Sequence, residues 1–99
     1  MAILIPPGEH PRPLWPATPP LFTAQELHDA LGGYIEVIGR LPDVDGRGWR
    51  WVLCNEDGKR LELPYNDYAT KLLGHAGLLH MPGDVIVGPL ILCEPTEID

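Results

Sequence analysis

Three cationic side chains, Arg50, Arg60 and Lys71, are interleaved along the chain with the aromatic residues Trp49, Tyr65 and Tyr68. An arginine fork holds a phosphate through paired charge-assisted hydrogen bonds, and an aromatic face stacks on a base. This mixture therefore suits an anionic, nucleotide-like small molecule. An ordinary core with a charged rim has the same composition. Trp49, Trp51 and Leu53 recur at every second position and share one strand face, opposite Arg50, Val52 and Cys54.

Bond-breaking chemistry finds less support. A hydrolase needs a nucleophile beside a base, and the chain has no serine. Apart from the tyrosines, Thr70 is the one hydroxyl within a well-patterned element. Cys54 and Cys93 sit in hydrophobic runs without CxxC spacing and read as small buried hydrophobes. Glu36 and Glu62 could oppose each other as a carboxylate pair, although solvated strand carboxylates give the same pattern. His10, His28, His75 and His80 are scattered, with no pair at the i, i+4 spacing of a helical zinc site, although His75 and His80 flank one turn region. The expectation is a protein that is not an enzyme and uses no metal or cofactor.

Charge narrows the partners. Fourteen acidic against seven basic residues give a net charge of −7 over 99 residues, which opposes sequence-independent binding to a nucleic-acid backbone. Five of the seven basic residues (Arg40, Arg47, Arg50, Lys59 and Arg60) nevertheless fall in one central stretch, interleaved with Asp43, Asp45, Glu56 and Asp57. Apolar runs such as Val85 to Cys93 are far shorter than the roughly 20 residues of a membrane helix. Met1-Ala2-Ile3-Leu4-Ile5 runs at once into two prolines, with no basic n-region and no small-residue cleavage site, so a signal peptide is not expected and the cytoplasm is the expected compartment.

The elements that position these residues follow from turn signals and periodicity. Ala2–Ile5 is expected as a strand, and Pro6–Pro20 as an extended segment without regular structure, pinned to the body by Trp15. Thr23 with Glu26 three residues on is a capping box, which predicts a helix over Ala24–Leu31 closed by Gly32 and Gly33. Tyr34–Ile38 and Trp49–Cys54 are expected strands, separated by a loop over Leu41–Gly48 with Asp45-Gly46 as its turn. Asn55-Glu56-Asp57-Gly58 predicts a hairpin turn from which Lys59–Leu63 returns as a strand. Asn66 then caps a second helix over Asp67–Leu73, stopped by Gly74. Asp84–Cys93 is the most hydrophobic strand, expected to lie centrally and to bend at Gly88-Pro89, and Glu94–Asp99 is an expected frayed tail. The predicted class is α+β within a single domain: an antiparallel or mixed sheet of four to five strands with two short helices on one face. An open terminal edge on so short and apolar a chain also predicts a homodimer.

The phrases Gly32-Gly33-Tyr34-Ile35-Glu36, Leu63-Pro64-Tyr65-Asn66 and Gly83-Asp84-Val85-Ile86-Val87-Gly88, with the hairpin between them, resemble the domain of unknown function family 3846. Members often read Asn-Pro-Arg-Ala-Thr at the second helix; this chain keeps Asn66, Ala69 and Thr70 but places Asp67 and Tyr68 between them. The resemblance covers Ala2 to Cys93 and implies a small accessory protein of a bacteriophage or mobile element. Two functions fit. One is a host-defence antagonist that sequesters a nucleotide-like ligand through Arg50, Arg60 and Lys71 with Trp49, Tyr65 and Tyr68. The other is an acidic interaction module that docks on a host or phage protein, its charge steering it to a basic partner.

Overall fold

A computed structural model describes residues 1–43, 46–79 and 83–98. Five strands and two helices follow one another as β1 (Ala2–Ile5), β2 (Arg12–Leu14), α1 (Ala24–Leu31), β3 (Ile35–Pro42), β4 (Trp49–Asn55), α2 (Asp67–His75) and β5 (Leu90–Cys93). The strands form one antiparallel sheet in the order β2-β1-β5-β4-β3. The protein is thus a small α+β fold, with the hydrophobic final strand at the centre of the sheet.

Every residue of β5 is buried. Successive strand side chains point to opposite faces, so an unbroken buried run must be covered on both. Ile91 and Cys93 pack with Ala2, Leu4, Leu53, Phe22, Leu27 and Leu31 beneath α1. Leu90 and Leu92 pack with Ile5, Val52, Cys54, Ala69 and Leu73 beneath α2. The expectation that both helices lie on one face is therefore corrected: each helix covers its own face of the sheet.

The helix starts are as the sequence predicts. The Glu26 amide donates to Thr23 Oγ1 at 3.1 Å and the Thr23 amide donates to Glu26 Oε1 at 2.9 Å, so two otherwise orphaned N–H groups are satisfied reciprocally. Gly32 ends α1 at φ 77°. A Cβ at Gly33 would stand 2.7 Å from Asn55 Nδ2, which donates to the Leu31 carbonyl, so the chain turns tightly against β4 there. Helix α2 runs through Gly74 to His75, two residues beyond its expected end at Leu73.

Six other expectations change. Of the strand expected over Asp84–Cys93 only Leu90–Cys93 forms, the extended run being broken at Gly88, whose φ is 73°. Within the proline-rich segment, β2 pairs with β1 in the register Ala2↔Leu14, Ile3↔Pro13 and Leu4↔Arg12; Pro13 is tolerated because β2 is an edge. Trp15 is 64% exposed and does not pin the segment, a role taken by buried Pro16 and Phe22. Lys59–Leu63 is not a strand. Both neighbouring positions of β4 are occupied, by β3 and β5, and the chain closes instead on its own turn bonds, Leu61 to Asp57 at 2.8 Å and Leu63 to Gly58 at 3.0 Å. Strand β3 continues to Pro42 through a bulge between Val37 and Gly39 rather than entering a loop at Leu41. The segment after β5 is held as a 3-10 turn over Pro95–Glu97, in which buried Glu97 accepts from the Glu94 amide at 2.9 Å and lies 3.0 Å from the Met1 amino group. Asp45 of the expected Asp45-Gly46 turn, His80 of the histidine pair, and Asp99 lie outside the described residues.

Candidate functional site

A cavity of about 330 Å³ opens on the α2 face of the sheet, where β3 and the end of β4 meet the 56–63 turn and the chain leading to β5. Its apolar wall comes from Ile38, Leu78, Leu79 and Ile86, which also pack against the α2 core. Glu36, Glu56 and Asp84 bring carboxylates to it. Among the described residues, Lys59 is the one basic residue in its lining, and its ammonium is paired with Asp84. Asp84 also accepts from the Val85 amide at 2.9 Å, which fixes the carboxylate beside the mouth.

The strand register positions the inner groups. Glu36 lies opposite Cys54, so both side chains share the α2 face, with Cys54 Sγ 3.5 Å from Glu36 Oε1. Burial first, and then the neighbouring carboxylate, push the Cys54 thiol up to about 12. The thiol accordingly stays protonated at neutral pH, whereas nucleophilic attack and metal ligation need the thiolate. Asn55 is buried beside it; its Oδ1 accepts from the Asp57 amide at 2.8 Å and shapes the turn that carries Lys59. Among the described residues, no group of three or more His, Cys, Asp or Glu side chains is placed to hold a metal ion.

The six residues singled out for ligand binding are spread over several surfaces. Arg50 is on the α2 face but at the other end of β4, where its guanidinium is 3.4 Å from Asp43 and donates to the Met1 carbonyl at 2.9 Å. It shares a second, mainly apolar cavity of about 220 Å³ with Tyr68. Tyr65 and Lys71 converge on Asp67, the hydroxyl at 3.4 Å and the ammonium at 3.1 Å. Arg60 is exposed and pairs with Asp57 at 3.3 Å. Trp49 lies on the α1 side of the sheet with Trp51, their rings edge-to-face at 4.8 Å.

The sequence reading missed Arg40 as the cationic companion of Trp49. Its guanidinium stands 4.8 Å from the Trp49 ring centre and 5.3 Å from that of Trp51. The bulge in β3 carries the relevant signal: it shifts the register so that Arg40 falls opposite Trp51, which spacing from Ile35 would not give. The pocket carboxylates were legible singly but not as a group, because three separate segments supply them.

The family described as Domain of unknown function (DUF3846) matches residues 1–99. The chain belongs to this family. The match spans the DUF3846 sheet, both helices and every residue of the acidic cavity. No curated protein and no solved structure matches the chain.

Proposed function

We propose that this DUF3846 protein is a non-catalytic interaction module that takes a lysine or arginine side chain of a protein partner into its acidic cavity. The observation that carries this reading is the lining itself: Glu36, Glu56 and Asp84 around an apolar wall, with the sole lysine already neutralised by Asp84. A long basic side chain fits such a site, its methylene stem on the apolar wall and its charged head at the carboxylates. The net charge of −7 steers a basic partner toward the molecule. The protonated Cys54 thiol supports binding over covalent catalysis.

A second reading keeps the nucleotide-like ligand and rests on Arg40 between Trp49 and Trp51. Arginine beside two indoles suits a stacked base with an attached phosphate. Under either reading we propose an accessory protein of a phage or mobile element, supported by the family resemblance, that acts in the host cytoplasm, supported by the N-terminal sequence without a signal-peptide pattern. Among the described residues, no helix is long and apolar enough to cross a membrane.

Titration calorimetry separates the two. An acetylated peptide of alternating lysine and valine should bind more tightly than millimolar, which corresponds to about 4 kcal/mol. Glu36→Gln should weaken it roughly ten-fold, the scale of one charge-assisted hydrogen bond. Mono-, di- and cyclic nucleotides should give no heat. Nucleotide binding that is lost in Arg40→Ala, with no peptide binding, would replace the first reading by the second.

A further inference from the structure

The two edges of the sheet differ in kind. Strand β2 is three residues long with Pro13 at its centre, and so offers few backbone donors to an incoming strand. Strand β3 is eight residues long and has no proline before Pro42. Among the described residues, its backbone bonds β4 and no other segment.

The Tyr34 carbonyl accepts from the Glu56 amide at 2.8 Å and therefore points toward β4. N–H and C=O groups of successive strand residues turn alternately to the two sides, so those of Ile35 and Val37 point away from β4, into the open. The side chains alternate in the other sense. Ile35 and Val37 lie opposite Asn55 and Leu53, on the α1 face, and Val37 is 53% exposed. Glu36 lies opposite Cys54 on the α2 face, where it lines the acidic cavity together with Ile38. Cavity and open edge thus lie side by side along residues 35–38 of β3.

We infer that the basic partner binds as a sixth strand along β3. Its outward amides and carbonyls pair with Ile35 and Val37, its basic side chains fall beside Glu36 at the cavity, and its apolar side chains fall beside Val37 on the opposite face. The partner is therefore an extended segment in which basic and apolar residues alternate. Directly opposed side chains across a new strand pair stand about 4.5–5.5 Å apart, close enough for a lysine beside Glu36 to reach the carboxylate. A second copy of the chain is the competing occupant, and charge argues against it. Antiparallel pairing of β3 with its own copy keeps like faces together, bringing the Glu36 carboxylates of both copies to one face of the seam. The bulge also sets Glu36 and Arg40 on opposite faces, so neither copy can answer the other's Glu36 with Arg40.

This inference rests on the acidic-cavity reading, and the experiment separates the two. The probe is the alternating lysine–valine peptide, in its plain form and N-methylated at every second amide in each of the two phases. Strand addition predicts that one methylated phase loses binding at least ten-fold while the other binds like the plain peptide. Val37→Pro removes an outward donor without touching the β4 ladder and should also weaken the plain peptide about ten-fold. Equal binding of both methylated phases, with loss in Glu36→Gln alone, would overturn strand addition and leave the cavity reading standing. Loss in neither variant would overturn both. The methylated peptides act on the unaltered protein, so the test survives even if Val37→Pro does not fold. A dimer mass that Val37→Pro converts to monomer would assign the edge to a second copy and overturn the partner-strand inference.

Discussion

Asn66 serves several partners at once. Its Oδ1 accepts from the Ala69 amide at 3.1 Å as the cap of α2, while its Nδ2 donates to the carbonyls of Ile5 at 2.9 Å and Gly88 at 2.8 Å. The residue is fully buried, so its amide group is satisfied by these partners rather than by solvent. A cap alone contributes about 0.5–2 kcal/mol, and a buried carbonyl left without a donor costs about 1–3 kcal/mol. Asn66→Ala should therefore destabilise the protein by about 3 kcal/mol or more, measured by chemical unfolding. Asn66→Asp keeps the cap acceptor and should still lose most of that stability, because the two donors go and a charge is buried. An Asp variant as stable as the parent would reduce Asn66 to a simple cap. The cap was legible in Pro64-Tyr65-Asn66-Asp67; the ties to β1 and to the chain before β5 were not, since sequence carries no record of which distant carbonyls need a donor.

At the scale of elements, local signals proved reliable where the bonds that form an element are themselves local. Helix α1 is the clearest case, with the Thr23 and Glu26 pair at its start and Gly32 at its end. The Thr23 and Ala17 amides, the two leading causes, hold the Glu26 carboxyl below its usual value near 4.5. A carboxylate with a lowered folded value contributes stability above its unfolded value and loses it as pH falls through the folded one. Thr23→Ala should cost about 1 kcal/mol at neutral pH. The stability the parent draws from Glu26 should fade below about pH 4.5, and a parent stability flat from pH 6 to pH 3 would exclude this account. Strands were harder to read. Lys59–Leu63 alternates as a strand should, yet β4 already has neighbours on both sides; Arg12–Leu14 is dense in proline, yet the edge beside β1 accepts it. Pairing is decided by which slots in the sheet remain open, and that is a property of the whole chain.

Over the whole molecule the paired cations dominate the electrostatics. Arg12, Arg50, Lys59, Arg60 and Lys71 each stand within 4 Å of a carboxylate, on Glu9, Asp43, Asp84, Asp57 and Asp67 respectively. Exposed pairs of this kind add little stability, but they consume the positive charge that an anionic ligand would need. The excess acid remains, and it meets an apolar cavity and an open strand edge at Glu36. Amide-resolved magnetic resonance of the protein during titration with the alternating lysine–valine peptide tests this account most directly. It predicts shifts confined to Ile35–Ile38, Cys54–Lys59 and Asp84–Val87. Shifts centred instead on Arg40, Trp49 and Trp51, or none at millimolar peptide, would contradict it.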